Sequence, residues 1–253
     1  MCITCYTLAS MDVQRENRGR VAVLTVSDPA HRNALSFELS ERLARAVAAC
    51  DRDESVHAMV ITGAPPAFCA GADLGALSAA GQSASEADLR RIYAGFLAVA
   101  NATLPTIAAV NGPAVGAGLN LALACDLRLV GPAALFDARF LRLGIHPGGG
   151  MTWLARHAVG PQTAAAMALF GEPLDAHEAV RTGLAYRLID GNGDDEAVVA
   201  AAVHLARRAA AAPRDLVIAT KAALKATATM PEHADAVTYE TSPQLASLRT
   251  MKR

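Results

Sequence analysis

The fold of this chain is decided by the segment NGPAVGAGLN at residues 111–120. The apolar run at residues 104–110 predicts a strand before it, and an apolar helical stretch follows it. Small residues at such a turn let a ligand approach the backbone, and N–H groups at a helix start can bind a developing negative charge. The same residues would also suit a tight turn between closely packed elements, so this segment alone leaves both interpretations open.

Another turn of small residues, AFCAGADL at residues 67–74, follows the predicted strand at residues 57–63. In chain order, residues 67–74 are called the first turn and residues 111–120 the second turn. Further outward, residues 21–26 predict another strand, Ser36 can cap a helix, and residues 86–101 predict a second helix. Strands that alternate with helices predict an α/β fold of β-β-α or β-α-β units with covered sheet faces.

Three regions are predicted along the chain. We expect residues 1–16 to form a loosely ordered N-terminal extension and residues 17–194 to form the α/β core. Residues 195–253 contain alanine-rich helical segments, divided by Pro213 and Pro231, without a strand candidate.

Composition and charge exclude several classes of protein. Of the 253 residues, 53% are hydrophobic and 19% are charged, which suffices for a sizeable core. A net charge of −1 gives no excess of positive charge with which to bind nucleic acid. The longest apolar stretch, residues 113–125, is too short to span a membrane, and the N-terminus lacks the charged start of a signal peptide. We therefore expect a cytoplasmic protein that binds no nucleic acid and does not insert into a membrane.

Common cofactor, metal and nucleophile motifs are incomplete. The sequence GAGLNL begins like a dinucleotide-binding loop, but Leu121 stands where the third glycine would be. The sequence contains no G-K-[ST], no G-x-S-x-G and no H-E-x-x-H. Cys2 and Cys5 form a C-x-x-C pair without a second pair or paired histidines, so we expect an inert tail rather than a metal site. No metal and no separate cofactor are expected.

The two turns, together with PAHRNALS at residues 29–36 and LGIHPGGG at residues 143–150, resemble the crotonase superfamily, which is the enoyl-CoA hydratase/isomerase family. The four blocks occur in that family's order, and the resemblance covers about residues 18–190. It implies a crotonase-like spiral of β-β-α units with a C-terminal helical segment for trimerisation, in a homotrimer or a dimer of trimers. It also implies acyl-CoA as the ligand, with coenzyme A as part of the substrate.

The resemblance further implies two backbone N–H groups that hold the thioester oxygen, those of Ala72 and Ala117. The family usually has glycine at the second position, but alanine presents the same N–H. The residues expected around the coenzyme A and thioester are Ala30, His31, Arg32, Ala70, Gly71, Ala72, Asp73, Leu74, Gly116 and Ala117.

Where hydratases of this family carry two glutamates, the resemblance predicts Asn120 and Phe140 in this sequence. Neither side chain can take a proton from water, because an amide has no useful basicity and a phenyl ring has no polar atom. Some relatives that isomerise double bonds carry an aspartate after the proline of the downstream block, but Gly148 stands there. Asp137 and His146 could in principle form a different acid/base pair. The alternative is that both have structural roles at the rim of the site.

Three functions remain open from the sequence. The first is an acyl-CoA-binding protein of fatty-acid and lipid metabolism, non-catalytic or weakly active in hydration, that could present the thioester to a protein partner. The second is an enzyme of the same fold with other chemistry, such as isomerisation, thioester hydrolysis or decarboxylation. The third is a structural oligomer with a vestigial pocket.

Overall fold

The computed structural model describes residues 11–73, 75, 85–191 and 194–250. Within these residues the strands form two sheets, one of six strands in the order β1-β2-β3-β4-β6-β9 and one of three strands in the order β5-β7-β8. The pairs β1–β2 and β7–β8 are antiparallel, and the other neighbours are parallel. The strands are β1 Asp12–Arg18, β2 Val21–Ser27, β3 Ala58–Gly63, β4 Thr106–Val110, β5 Pro113–Val115, β6 Leu127–Val130, β7 Leu135–Asp137, β8 Leu174–Asp175 and β9 Arg187–Leu188.

Helices alternate with these strands up to residue 191 and then follow one another. Short 3-10 turns occupy Pro29–His31 and Leu141–Leu143. The α-helices in the described part of the chain are α1 Phe37–Arg52, α2 Glu86–Asn101, α3 Ala117–Ala124, α4 Met151–Leu169, α5 Ala176–Arg181, α6 Asp195–Ala210, α7 Arg214–Thr227 and α8 His233–Thr250. The predicted α/β class is confirmed, as are the predicted strand at residues 21–26 and the predicted helix at residues 86–101.

The larger sheet has a hydrophobic core on each face because successive side chains of a strand point to opposite sides. In β2, Ala22, Leu24 and Val26 join the main core, while Val21 and Val23 join a smaller core on the other face. Both cores are closed to solvent, which explains why β2 and β3 are apolar at almost every position rather than at alternate ones.

Helices α1 and α2 pack closely over the main core through small side chains. Ser36 caps α1 as predicted, since its hydroxyl accepts a hydrogen bond from the N–H of Leu39 at 3.1 Å. Further along, the buried Ser40 hydroxyl donates to the carbonyl of Ile92 and accepts from the N–H of Gly95, at 2.6 and 2.9 Å. A Cβ added at Gly95 would lie 3.0 Å from the Ser40 carbonyl oxygen, so glycine lets the two helices approach.

Helix α6 packs on the other face of the sheet, although it begins the helical region predicted from Asp195. Its buried residues Val198, Val199, Ala202, Val203 and Ala206 contact the smaller core of β2, β3 and β4. Asp194 caps it by accepting from the N–H of Glu196. By its packing, α6 is part of the sheet layer, so the boundary predicted at residue 194 marks a change in the sequence pattern and not in the packing.

The predicted N-terminal extension, residues 1–16, is wrong in its last five residues. Strand β1 begins at Asp12 and pairs with β2 along its whole length, from Asp12 opposite Ser27 to Arg18 opposite Val21. Its sequence, DVQRENR, is polar because β1 is an exposed edge strand, so it lacks the hydrophobic alternation that predicts strands. Cys2 and Cys5 lie outside the described residues.

The last two helices are mostly exposed. Helix α7 buries one residue, Lys221, whose ammonium lies 2.8 Å from the Leu104 carbonyl oxygen and 2.6 Å from the Asp126 carboxylate. Asp126 also accepts hydrogen bonds from the N–H and hydroxyl of Thr106. These contacts connect α7 to the start of β4 and to the turn after α3. No helix in the described residues combines the length and apolar character needed to cross a membrane.

Candidate functional site

The two small-residue turns lie side by side. Cys69 forms an isolated parallel bridge with Ala114 of β5, in which the Cys69 N–H donates to the Pro113 carbonyl and the Val115 N–H donates to the Cys69 carbonyl, at 3.1 and 3.0 Å. A Cβ added at Gly71 would lie 3.1 Å from the Val115 carbonyl oxygen and 4.0 Å from the Ala117 nitrogen. The residues predicted to hold the thioester are therefore neighbours in space, although more than forty positions apart in the sequence.

Glycine is required where the second turn enters α3. Gly116 precedes the helix with φ 52° and ψ −112°, and its N–H donates to the Asp137 carbonyl at 2.9 Å. A Cβ added at Gly118 would lie 2.0 Å from the Cys69 carbonyl oxygen. No side-chain rotation could relieve this clash, because the Cβ is fixed by the backbone of Gly118 and the oxygen belongs to the backbone of Cys69. This contact sets the closest approach of the two turns.

The N–H groups of Ala72 and Ala117 make no hydrogen bond to any described residue. Their neighbours do, since the Asp73 N–H donates to Leu35 at 3.0 Å and the Gly116 N–H donates to Asp137. Ala117 is the first residue of α3, where N–H groups have no partner within the helix and the helix dipole favours negative charge. Two such amides on adjoining turns can stabilise an oxyanion.

The segment predicted to contact coenzyme A borders the first turn. The carbonyl of Arg32 accepts a hydrogen bond from the Ala70 N–H at 2.9 Å, and Ala30, His31 and Arg32 are all exposed. His31 contacts Asp28 through its Nδ1 at 2.9 Å. Leu74, predicted to lie in the same binding region, is outside the described residues.

Asn33 holds this segment in place and was not singled out from the sequence. Its buried amide nitrogen donates to the carbonyls of Ala64 and Ala67, each at 2.7 Å, and its oxygen accepts from the Asp28 N–H at 2.8 Å. Arg32 and Asn33 both have positive φ angles, of 52° and 59°. Asparagine tolerates this left-handed conformation better than most residues, and that preference was the available signal in the sequence.

Asn120 lies on α3 one helical turn after Ala117. It is 1% exposed, and its Nδ2 donates to the Gly148 carbonyl at 2.9 Å. A Cβ added at Gly149, where φ is 65°, would lie 2.5 Å from that nitrogen, so glycine is needed for the amide to fit. The amide thereby joins the second turn to the downstream block at residues 143–150.

Phe140 is half-buried and packs against the main core. A Cβ added at Gly116 would lie 4.0 Å from its ring Cζ, so the ring faces the start of α3. The two residues predicted at the glutamate positions, Asn120 and Phe140, are thus both next to the second turn. Neither supplies a titratable group there.

Asp137 and His146 do not form the pair that the sequence left open. The Asp137 carboxylate, 2% exposed, instead contacts the guanidinium groups of Arg139 and Arg142 at 2.8 and 2.5 Å. His146 is exposed, and its Nδ1 lies 2.6 Å from the carbonyl oxygen of Pro147. The sequence spacing gave no sign that two arginines would contact the carboxylate, and Arg139 does so with a left-handed backbone of φ 51°.

Candidate metal ligands and thiols near the site were compared in the same way, within the part of the chain that the structure describes. The described residues contain no group of three or more histidine, cysteine, aspartate or glutamate side chains that could hold a metal ion. Cys69 lies in the first turn, but burial raises the pKa of its thiol to about 12, which makes it a poor nucleophile at neutral pH.

Comparison with known proteins agrees with this geometry. The sequence model named Enoyl-CoA hydratase/isomerase matches residues 16–247. The chain is 52% identical over 235 residues to a "Probable enoyl-CoA hydratase" of Mycobacterium tuberculosis strain H37Rv, an alignment that covers 91% of this chain and 90% of the relative.

The chain belongs to the enoyl-CoA hydratase/isomerase family.

Other members of the enoyl-CoA hydratase/isomerase family match over most of their length. A "Probable enoyl-CoA hydratase" of Rhodobacter capsulatus is 40% identical over 193 residues, which cover 76% of this chain and 74% of the relative. The crystal structure of an enoyl-CoA hydratase subunit from Geobacillus kaustophilus superimposes with a TM-score of 0.84 and 29% identity, covering 95% of this chain and 91% of that one. The crotonase-type α/β fold predicted from the four sequence blocks is therefore confirmed.

Proposed function

We propose that this family member binds an acyl-CoA thioester, with the thioester oxygen between the N–H groups of Ala72 and Ala117, and that it adds water weakly or not at all. The observation that supports binding is the pair of unsatisfied N–H groups on two adjoining turns. The relatives are named as hydratases of enoyl-CoA, which favours a coenzyme A thioester as the ligand.

Weak hydration follows from the side chains beside those amides. Adding water to an enoyl thioester needs groups that accept and donate a proton, and each such group typically contributes about 10²–10⁴-fold to the rate. At the two glutamate positions beside the second turn, this chain has an amide at Asn120 and a phenyl ring at Phe140. The nearby Asp137 carboxylate instead contacts the guanidinium groups of Arg139 and Arg142.

Titration calorimetry with acyl-CoA and a crotonyl-CoA hydration assay test the two parts separately. We expect micromolar or tighter binding together with little turnover. Binding without turnover supports the proposal, and absence of binding favours the structural oligomer with a vestigial pocket. Robust hydration that survives Asn120→Ala and Phe140→Ala would show that these positions do not decide the chemistry.

The role of the second amide has a test of its own. Ala117→Pro removes one N–H at the first position of α3, where proline fits a helix. The infrared carbonyl band of a ¹³C-labelled acyl-CoA reports the hydrogen bonds that polarise the thioester, so this variant should return the band toward its position in water. Asp195→Pro, at the first position of α6, is the matched control and should leave the band unchanged.

Other chemistry of the same fold is the second candidate, favoured by the unpaired amides themselves, which could stabilise an enolate as well as bind a ground-state thioester. Incubating acyl-CoA substrates with the protein and following isomerisation, thioester hydrolysis and decarboxylation by mass spectrometry separates this candidate from pure binding. Turnover that Ala117→Pro abolishes and Asp195→Pro preserves would replace the binding function by an enzymatic one.

We extend the proposal to a homotrimer or a dimer of trimers that assembles through the last two helices. Helices α7 and α8 carry exposed large apolar side chains, which a monomer would leave in water. These side chains are Leu216, Leu224, Val237, Leu245 and Leu248. Sedimentation equilibrium should give a trimer or hexamer, and Leu224→Glu should lower the association state, whereas a monomeric wild type would contradict this assembly.

A further inference from the structure

Lysine is rare in this chain, and two of its lysines share one helix. Of the 23 lysine and arginine residues, only Lys221, Lys225 and Lys252 are lysine. Lys221 and Lys225 lie on the same face of α7, one helical turn apart. An arginine stays charged in a protein, whereas a lysine amine can lose its proton and act as a nucleophile. Two of the three lysine amines of the chain thus face the same surroundings.

Both amines line an open groove between α7 and α4. The groove has a volume of about 900 Å³, and most of the side chains along it are apolar. At its α4 wall, Trp153 is 59% exposed and stacks on His157, with ring centroids 3.9 Å apart. The largest apolar side chains along the groove are Leu123, Trp153, Leu154, Leu216 and Leu224. A space of this size and character suits an acyl chain, and the described residues that line it include none of the candidate thioester site.

The Lys221 amine is already held by other groups of the protein. Its ammonium lies 2.6 Å from the Asp126 carboxylate and 2.8 Å from the Leu104 carbonyl oxygen, and the side chain is 8% exposed. Removing it would leave the Asp126 carboxylate without this ion pair. Lys221 therefore serves to attach α7, and it places a positive charge one turn before Lys225.

The Lys225 amine is held more loosely and in a less polar setting. It donates to the carbonyl of Ala100 in the last turn of α2 at 2.6 Å, and no described carboxylate lies within ion-pair distance of it. Partial burial lowers the pKa of Lys225, and the Lys221 ammonium lowers this pKa further, whereas the Asp126 and Asp51 carboxylates oppose the shift more weakly. A larger fraction of this amine is therefore neutral near pH 8 than of a lysine in water.

The hydrogen bond to Ala100 is compatible with a nucleophilic amine. A carbonyl oxygen accepts equally from an ammonium and from a neutral amine, so the contact does not require the charged form. A neutral amine has two N–H groups and one lone pair. It can donate to Ala100 through one N–H while the lone pair faces the groove.

We propose that Lys225 is an acylation site, at which the amine attacks the carbonyl carbon of an acyl thioester whose chain lies in the groove. A C–N bond forms, the C–S bond breaks, and the thiol of coenzyme A leaves with the proton that the amine gives up. The product is a neutral amide that keeps an N–H for the Ala100 carbonyl. This activity goes beyond the proposed binding function, because it uses neither of the N–H groups of Ala72 and Ala117.

Mass spectrometry of the whole protein after incubation with octanoyl-CoA near pH 8 tests the site. We expect one octanoyl group per chain, located on Lys225 by peptide mapping. It should form at least about threefold faster than on free Nα-acetyl-lysine, because more of the amine is neutral. Lys225→Arg keeps the positive charge and a donor for Ala100 but is not nucleophilic, so the adduct should disappear. The matched control, Lys252→Arg, should retain it.

Chain length and pH give two further readouts of the same reaction. Because the groove is apolar, octanoyl-CoA should acylate Lys225 faster than acetyl-CoA, whereas Nα-acetyl-lysine in solution should show no such preference. The rate advantage of Lys225 over Nα-acetyl-lysine should shrink from about pH 7.5 to about pH 10, as the free amine also becomes neutral. An advantage that grows with pH would contradict the assigned surroundings of the amine.

The outcomes separate this site from the proposed function. Leu216 and Leu224 of the face proposed for assembly also line the groove, so the protein is used in the association state that it has in solution. If Lys225 is not acylated, or reacts no faster than Nα-acetyl-lysine, the acylation site is wrong while calorimetric binding of acyl-CoA stands. Acylation that Ala117→Pro abolishes would place the donor in the thioester site and overturn the groove. Acylation of Lys225 that Ala117→Pro preserves supports it.

Discussion

The two ends of the candidate site use different chemical groups, backbone N–H groups at one end and side chains at the other. At the thioester end, backbone N–H groups of Ala72 and Ala117 carry the function, and small residues bring the two turns together. At the acyl end, the side chains of Asn120 and Phe140 lie next to the second turn. Because a backbone amide is the same in every residue except proline, the first end can persist while substitutions change the chemistry of the second.

The thioester end should be the less tolerant of the two. Gly118→Ala places a Cβ 2.0 Å from the Cys69 carbonyl oxygen, so the two turns must separate. We expect this variant to lower the free energy of unfolding by at least about 3 kcal/mol and to abolish acyl-CoA binding. Urea unfolding and calorimetry measure both effects.

Gly131→Ala is the control for that experiment. A Cβ at Gly131 meets its nearest atom at 3.8 Å, which is ordinary contact, so the loss should be within about 0.5 kcal/mol. Similar losses in the two variants would mean that close approach of the turns is not what glycine provides at position 118.

The acyl end should control chain-length preference. The apolar ring of Phe140 favours binding of a hydrophobic acyl chain. Each buried methylene contributes about 0.8 kcal/mol to binding, or roughly fourfold in affinity. We expect affinity to rise from butyryl-CoA to octanoyl-CoA in the wild type. Phe140→Glu should lower the octanoyl-CoA affinity by about 1–2 kcal/mol, because it brings a charge against the chain.

Phe140→Leu keeps an apolar side chain and serves as the control, with most of the chain-length dependence retained. Calorimetric titration of the three proteins across the ligand series gives the comparison. A flat dependence in the wild type would contradict a role for Phe140 in binding the chain, and an unchanged dependence in Phe140→Glu would do the same.

The loop that carries Phe140 is attached through Asp137. Asp137→Asn weakens the contacts with Arg139 and Arg142 and should reduce the free energy of unfolding by about 1 kcal/mol, since both arginines remain half-exposed. Arg181→Ala, which removes an exposed contact of 3.7 Å with Glu178, should have almost no effect. Urea unfolding gives the free energy of unfolding of both variants. Equal losses in the two would show that the buried carboxylate does not hold the loop.

The smallest effect concerns two of the buried thiols, Cys69 in the first turn and Cys125 directly after α3. Burial raises the pKa of Cys69 and of Cys125 to about 12, so alkylation at pH 8 should be slow for both in the folded protein. Acyl-CoA should slow the labelling of Cys69, in the first turn, more than that of Cys125, beyond α3. Mass spectrometry of labelled peptides resolves the two sites, and equal protection would show that ligand binding does not act locally on the turns.

Much of the fold could be predicted from the sequence because strongly apolar segments leave few choices. Strand β2 and helix α2 appear at the predicted positions, and Ser36 caps α1 as expected. The polar strand β1 was missed because an edge strand facing water has no hydrophobic signature. The packing of α6 on the sheet was also missed, because periodicity shows that a helix has an apolar face without showing what that face contacts.

The candidate site divides in the same way. The position of the turns followed from glycine spacing, since the conformations at Gly71 and Gly116 require glycine. The partners of Asp137 and the contact of Tyr93 with Gly148 did not follow, because they depend on where distant segments meet. Sequence spacing within a segment carries no information about such contacts.

Helix α3 has one consequence beyond the site. It is only eight residues long, all of them buried, and it runs from the Ala117 N–H to the turn where Asp126 meets Lys221 of α7. A rod of about 12 Å with no exposed residue has little freedom to bend between its ends. We therefore expect ordering of its first turn to change the hydrogen-exchange protection of α7, which contacts the far end of α3 through Lys221.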